Sequence, residues 1–283
     1  MSEIHVELSA VILAVADNQP KVLTVGEAAL PTGPLLAAQD RTLDKALRRL
    51  VSQQLAREMG YVEQLYTFGD LSRDPDVQAR LLSIAYLALA REEDHPGSRS
   101  VYQFFPWEDW RRGTPSCLPA LTEALRDWAA DHPERQTRIR ICFGLDGAPY
   151  NGERVLERFE LLYEVGLVEE SSGTTGLGEP MALDHRRILA TALTRLRGKI
   201  RYRPVVFELL PQQFTLLHLQ RTVEALAGVT LHKQNFRRLV EHQGLVEGTG
   251  RVAQQQRGRP AELFCFRSDV LTERPAPGVG LPT

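Results

Sequence analysis

LPTGPLLAAQDRTLDKALRRLVSQQLAREMGYVEQLYTFGD, residues 30–70, is the stretch on which the reading of the fold turns. Leu43, Leu47, Leu50, Val51 and Gln54 recur at the spacing of one helix face, which predicts an amphipathic helix over 41–59 held against a core. Residues 61–68 then read as a strand.

A loop with Leu30-Pro31 and Gly33, a helix and then a strand resembles the signature segment of Nudix hydrolases. That pattern is G, five residues, E, seven residues, then REUxEExGU with U aliphatic. Gly33 matches the first glycine, with about two extra residues before the next position, and Arg49 matches the arginine. The carboxylates are replaced: the first glutamate falls on Arg41, the next on Leu50 and the metal-binding pair on Gln53 and Gln54, with Ala56 in place of the closing glycine. Nudix chemistry needs several carboxylates on one helix face, because hard divalent cations take charged oxygen ligands and neutralise the pyrophosphate under attack. A face carrying leucine and two glutamines lacks them. An ordinary amphipathic helix without Nudix ancestry is the alternative reading of this segment.

At 283 residues the chain has room for about two domains, each with its own core. Hydrophobic residues make up 43% and charged residues 25%, ordinary for a globular protein. The longest early apolar run, 8–16, is too short to span a bilayer and lacks a basic leader, so a cytoplasmic location is expected. Cys117, Cys142 and Cys265 are far apart, fit no metal-ligand spacing, and read as reduced, buried thiols. The formal charge of -2 is unevenly divided. Residues 199–267 carry eleven Lys and Arg against five Glu, an excess of six positive charges, leaving the rest of the chain at eight negative. A basic block on an acidic body suggests that the C-terminal part meets a polyanion.

From the N-terminus, residues 4–15 and 21–25 read as strands about an Asp17-Asn18 turn, and 81–90 as another strand. The aromatic segment 101–113, VYQFFPWEDWRRG, admits two readings: core aromatics at one end of the sheet, or a stacking surface for an adenine or nicotinamide ring. Residues 118–130 and 152–170 read as helices and 138–143 as a strand, with SSGTTGLG (171–178) as a loop matching neither phosphate-binding glycine pattern. A helix over 184–196, with Asp184 as N-cap and Gly198 as its end, leads to a domain boundary near 198–204.

The C-terminal segment gives the second motif. Thr215 caps a helix over 215–226, Ala227-Gly228-Val229 makes a short turn, and a second helix runs over 231–243 to Gly244, which is the helix-turn-helix outline. Phe236, Leu239 and Val240 point inward, leaving Lys233, Gln234, Asn235, Arg237, Arg238 and Glu241 outward. Strands at 245–249 and 262–266 flank a basic loop, 250–261, with Arg257 and Arg259 placed as on a wing to follow phosphates or enter the minor groove. A charged helical protein-interaction module is the alternative.

Taken together, GYVEQLYTFGD (60–70), SIAYLAL (83–89), DHRRILATALTRL (184–196), FELLPQQFTLLHL (207–219), KQNFRR (233–238) and GRPA (258–261) resemble, in order, the Nudix-related transcriptional regulators of NAD metabolism. The resemblance implies an α+β chain: a Nudix-like α/β/α sandwich with a mixed sheet, followed by a winged helix-turn-helix. The expected division is a nucleotide-sensing domain over 1–198, with extra helical material at about 95–180, a DNA-binding domain over 199–270 and a flexible tail over 271–283. The function implied is that of a homodimeric repressor on a palindromic operator, controlled by ADP-ribose, NAD or ATP. DNA contacts are expected from Lys233, Gln234, Asn235, Arg237, Arg238, Arg257 and Arg259, and effector contacts from Arg49, Tyr66, Phe68, Arg73 and Arg80. No catalytic residue, metal ligand or cofactor is expected. An active pyrophosphohydrolase on ADP-ribose-like nucleotides is the rival reading.

Overall fold

Asp17 and Asn18 both adopt positive φ (52° and 57°), the conformation a two-residue hairpin loop needs to match the twist of its strands. They join β1 (Ile4–Ala16) to β2 (Gln19–Leu23), and this hairpin starts the sheet. A computed structural model describes residues 4–26, 28–56, 59–69, 80–91, 97–172, 176–253 and 260–279. β3 (Thr32–Pro34), α1 (Leu43–Leu55), β4 (Val62–Phe68), β5 (Arg80–Leu89) and β6 (Ser98–Ser100) follow. The strand order is β4-β5-β1-β2-β6 with β3 also on β1; β5 runs parallel to β1 and the other pairs are antiparallel. This is the mixed sheet expected.

Strand alternation splits the core between two faces. Leu8, Ala10, Ile12 and Ala14 of β1 pack with Ala46, Leu47, Leu50, Val51 and Leu55 of α1. Val11, Leu13 and Val15, with Ala85, Leu87 and Leu89 of β5, face the opposite side. There the cover is a long helix carrying Ile188, Leu189, Leu193 and Leu196, so the layers are helix, sheet, helix. Gly33 is needed where β3 meets α1, since a Cβ there would stand 2.5 Å from Leu50 Cδ1.

Between β6 and that long helix lie α2 (Val101–Phe104), a 3-10 turn at Pro106–Glu108, α3 (Leu118–Ala129), α4 (Pro133–Phe143), α5 (Val155–Val165) and α6 (Glu169–Ser172). Two expectations are corrected here. Residues 138–143 form the end of helix α4 and no strand: RIRICF alternates in sequence, but Ile139, Cys142 and Phe143 are the residues buried, at helical spacing, while Ile141 is exposed. Phe104, Phe105 and Trp107 are fully buried, which removes them as a stacking surface and leaves the core reading. Of the cysteines, all free, only Cys142 is buried.

The long helix, α7 (His185–Ile200), does not end at Gly198; it continues so that Ile200 is fully buried. Asp184 occupies its N-cap position without a side-chain capping bond. After a 3-10 turn at Val205–Leu209 come α8 (Leu216–Ala227), α9 (Lys233–His242), β7 (Val246–Ala253), β8 (Ala261–Phe266) and α10 (Val270–Glu273). Leu219, Val223, Leu226, Phe236 and Val240 belong to the same apolar cluster as the α7 face of the sheet, so the two parts share one continuous core. The expectation of a flexible tail from 271 is also corrected: Val270 and Val279 are fully buried, and Gly278 lies so close to Arg201 that a Cβ would stand 2.3 Å from its backbone. Among the described residues no helix is long and apolar enough to cross a membrane.

Candidate functional site

The helix-turn-helix is built from local signals. Thr215 Oγ1 accepts from the His218 amide (3.1 Å) and starts α8, and Gly228 ends it in the left-handed region (φ 73°). Leu231 is then clamped on both sides: its amide donates to Glu224 Oε1 (2.8 Å) and its carbonyl accepts from Gln220 Nε2 (2.9 Å). These two side chains set the angle at which α9 leaves the turn. Sequence reading missed them; polar residues on the otherwise apolar inner side of α8 were the available signal.

On α9, Phe236 and Val240 are buried and Leu239 half-buried, while Lys233, Gln234, Asn235, Arg237 and Arg238 are all exposed on one outward face. Arg237 Nε donates to Glu241 Oε1 (2.8 Å), which orients its guanidinium along the helix. The hairpin behind it is extended by Phe214, whose amide and carbonyl both bond Phe264 (3.0 and 2.8 Å). β7 runs to Ala253, beyond the expected strand end at 249, so Arg251 stands exposed on a strand and not in the loop. Arg257 and Arg259 lie outside the described residues.

The residues expected around the effector do not converge. Arg49 donates to both Asp40 oxygens (3.0 and 2.8 Å) and to Gln53 Oε1 (3.2 Å), and Asp40 also accepts from the Leu36 amide (2.8 Å). Hydrogen bonding to Arg49 holds the Asp40 carboxyl below its ordinary range. Arg49 thus anchors the segment that leads into α1. Gln54 Nε2 donates to the Thr32 carbonyl (2.9 Å) and ties α1 to β3. Tyr66 and Phe68 pair with Ala85 and Ser83, on the sheet face opposite α1. Phe68 is buried in the core and cannot line a cleft; Tyr66 is 64% exposed and rests edge-on against it (5.4 Å). Arg80 donates to the Gly69 carbonyl (3.2 and 3.0 Å), and Arg73 lies outside the described residues. No cluster of three His, Cys, Asp or Glu fit for a metal ion occurs among the described residues.

The two parts meet at a buried charged centre. Glu108, in the middle of the aromatic segment, is fully buried and accepts from Arg158 (2.5 and 2.9 Å) and from Arg197 Nη1 (2.5 Å). Burial alone would raise its pKa, but the two guanidinium charges outweigh burial and hold it below the carboxylate range. Arg197 Nε donates to the Leu226 carbonyl (2.9 Å), the Tyr102 hydroxyl to that of Ala225 (2.6 Å) and the Trp110 amide to that of Gly228 (2.7 Å). Burial pushes the Tyr102 phenol up to about 12, so it stays a neutral donor. The end of α8 and the turn before α9 are therefore bonded directly to the N-terminal part.

A three-layer α/β/α domain with a helix in the Nudix position, continued into a winged helix, defines the class of protein. Residues 206–266 match the family model of the NrtR DNA-binding winged helix domain. Over 88 residues the chain is 39% identical to the ADPR responsive transcriptional repressor NtrR of Acinetobacter baylyi, a match covering 30% of this chain and about a third (34%) of that relative. Its fold is similar to that of Shewanella oneidensis NrtR, solved with a 27mer DNA, at a TM-score of 0.56 and 23% identity over 94% of this chain and 95% of the other. It is also similar to a MutT/nudix family protein from Enterococcus faecalis, at 0.55 and 16% identity over 94% and 89%. The chain is an NrtR-like protein, a Nudix-like domain followed by a winged helix of the NrtR kind.

Proposed function

We propose that this chain is a transcriptional repressor that binds DNA through α9 and is controlled by a nucleotide, ADP-ribose foremost, bound to its Nudix-like domain. The observation that carries the reading is the fully exposed row Lys233, Gln234, Asn235, Arg237 and Arg238 on a helix whose start is pinned by Glu224 and Gln220. Side chains of this kind, presented from the first turns of such a helix, match base edges in a major groove. The residues 199–270 form the DNA-binding unit, working as a homodimer in the cytoplasm on a palindromic site. The Acinetobacter relative is named for its response to ADPR, and that effector class is carried over here.

Hydrolysis is not part of the role. Arg41, Leu50, Gln53 and Gln54 stand where the Nudix pattern has carboxylates, and Arg49, Gln53 and Gln54 are engaged with Asp40 and Thr32 in holding α1 to its approach segment. The test is incubation with ADP-ribose and Mg²⁺ or Mn²⁺, read for AMP and, separately, for melting temperature. No AMP above background with a ligand-dependent rise in melting temperature is expected; at a hundred times the dissociation constant the stabilisation is about 2.7 kcal/mol. Turnover that survives repurification would restore the hydrolase reading.

A further inference from the structure

The turn between α8 and α9 is one wall of a second cavity. Ala227, Val229, Thr230 and Leu231 line it together with Tyr150, Glu153, Arg197 and Arg201, around a volume of about 440 Å³. That is within the range of pockets that enclose small organic ligands. Its walls are largely apolar, and its charged residues are two guanidinium groups against one carboxylate.

Arg197 is only 3% exposed, and its Nε and Nη1 are used by Leu226, Glu108 and Gly152. Its Nη2 is buried and makes no hydrogen bond to the described residues. Buried donors on a charged group are strongly favoured to find an acceptor, and a guanidinium suits phosphate or carboxylate oxygens. Arg201, at the rim and paired with Glu153 Oε1 (2.7 Å), supplies a second such group. Deeper in, Glu108 is shared between Arg158 and Arg197, so the buried centre itself carries one uncompensated positive charge.

We propose that this cavity binds a small organic anion, a phosphate or carboxylate on a compact apolar body, with the anionic group held by Arg197 and Arg201 and the apolar part against Val229 and Leu231. Because its wall is the turn before α9, the occupant bears on the helix presented to DNA; that consequence rests on the function proposed above, whereas the binding itself does not.

The experiment is calorimetry and thermal shift on the full chain without DNA, using phenyl phosphate, benzoate, inorganic phosphate and phenol. Saturable one-to-one binding of phenyl phosphate or benzoate, unaffected by saturating ADP-ribose and absent for phenol, is expected; whichever of the two binds more tightly identifies the anionic group. Arg201→Gln should weaken it about tenfold or more, the loss of a charge-assisted bond. Val229→Phe, which fills the cavity from its apolar side, should abolish it, and it decides the matter should Arg201→Gln fail to fold. Failure of both organic anions to bind, unchanged affinity in the folded variants, or inorganic phosphate binding as tightly as phenyl phosphate would overturn the proposal. Loss of DNA binding by the same preparation would bear only on the repressor reading.

Discussion

Arg237 is the residue on which base reading is most exposed to test, because it stands outward on α9 with Glu241 as its intramolecular partner. Arg237→Ala should cost about 1–3 kcal/mol on the protein's own site and relax preference at one base pair, with little loss on a scrambled duplex. Anisotropy on both duplexes checks this, and equal losses would show that Arg237 does not read bases. At the other end of the molecule, Ala56 closes α1 in the left-handed region (φ 52°), an unfavourable conformation for any residue with a Cβ. Ala56→Gly should raise stability by about 1 kcal/mol in urea melts, and a loss would contradict the strained cap. Single residues were unevenly legible in sequence. Motif spacing found Arg49 but not Asp40, which lies nine residues earlier and reaches it only through the fold of the intervening loop. Alternation correctly put Tyr66 and Phe68 on one face, but the face they share is the core side, opposite α1.

Elements were read best where a periodic apolar pattern met a cap or a turn: Thr42 and Thr215 begin α1 and α8 with side-chain bonds, and Asp17-Asn18 makes the hairpin. They were misread where two periods coexist, as in α4, or where tertiary burial overrides a glycine, as at Gly198. Least legible was the centre around Glu108, since nothing local announces that an acid between aromatic residues will be enclosed by arginines from α5 and α7. Glu108→Gln leaves Arg158 and Arg197 buried with half their neutralising charge removed. A loss of about 3–5 kcal/mol is expected in chemical denaturation, the usual cost of breaking a buried pair. Because the pKa of Glu108 is lower in the folded state than in the unfolded, its contribution is complete above the ordinary carboxylate value of about 4.3 and fades as pH falls through the folded value. The stability gap between wild type and Glu108→Gln should therefore be flat from pH 7 to about 5 and narrow in more acid solution. A gap that grows on acidification would contradict this assignment.

At the scale of the whole molecule, motif order along the chain disclosed a Nudix-like part followed by a winged helix, and the division of charge pointed to the second part as the one meeting a polyanion. The docking between them was hidden, because it depends on bonds from Arg197 and Trp110 to backbone carbonyls at the end of α8 and on an apolar core running across both parts. Such docking makes the turn before α9 a shared structure, so an effector that shifts the N-terminal part has a mechanical route to the reading helix. The most direct test of that central claim is one titration: anisotropy of a palindromic duplex, selected by the protein from a randomised pool, against salt and then against ADP-ribose. Binding about 10³-fold or more tighter than to a scrambled duplex, falling steeply with salt and released as ADP-ribose saturates, is the expected result. Equal affinity for both duplexes, or no binding at low salt, would contradict it.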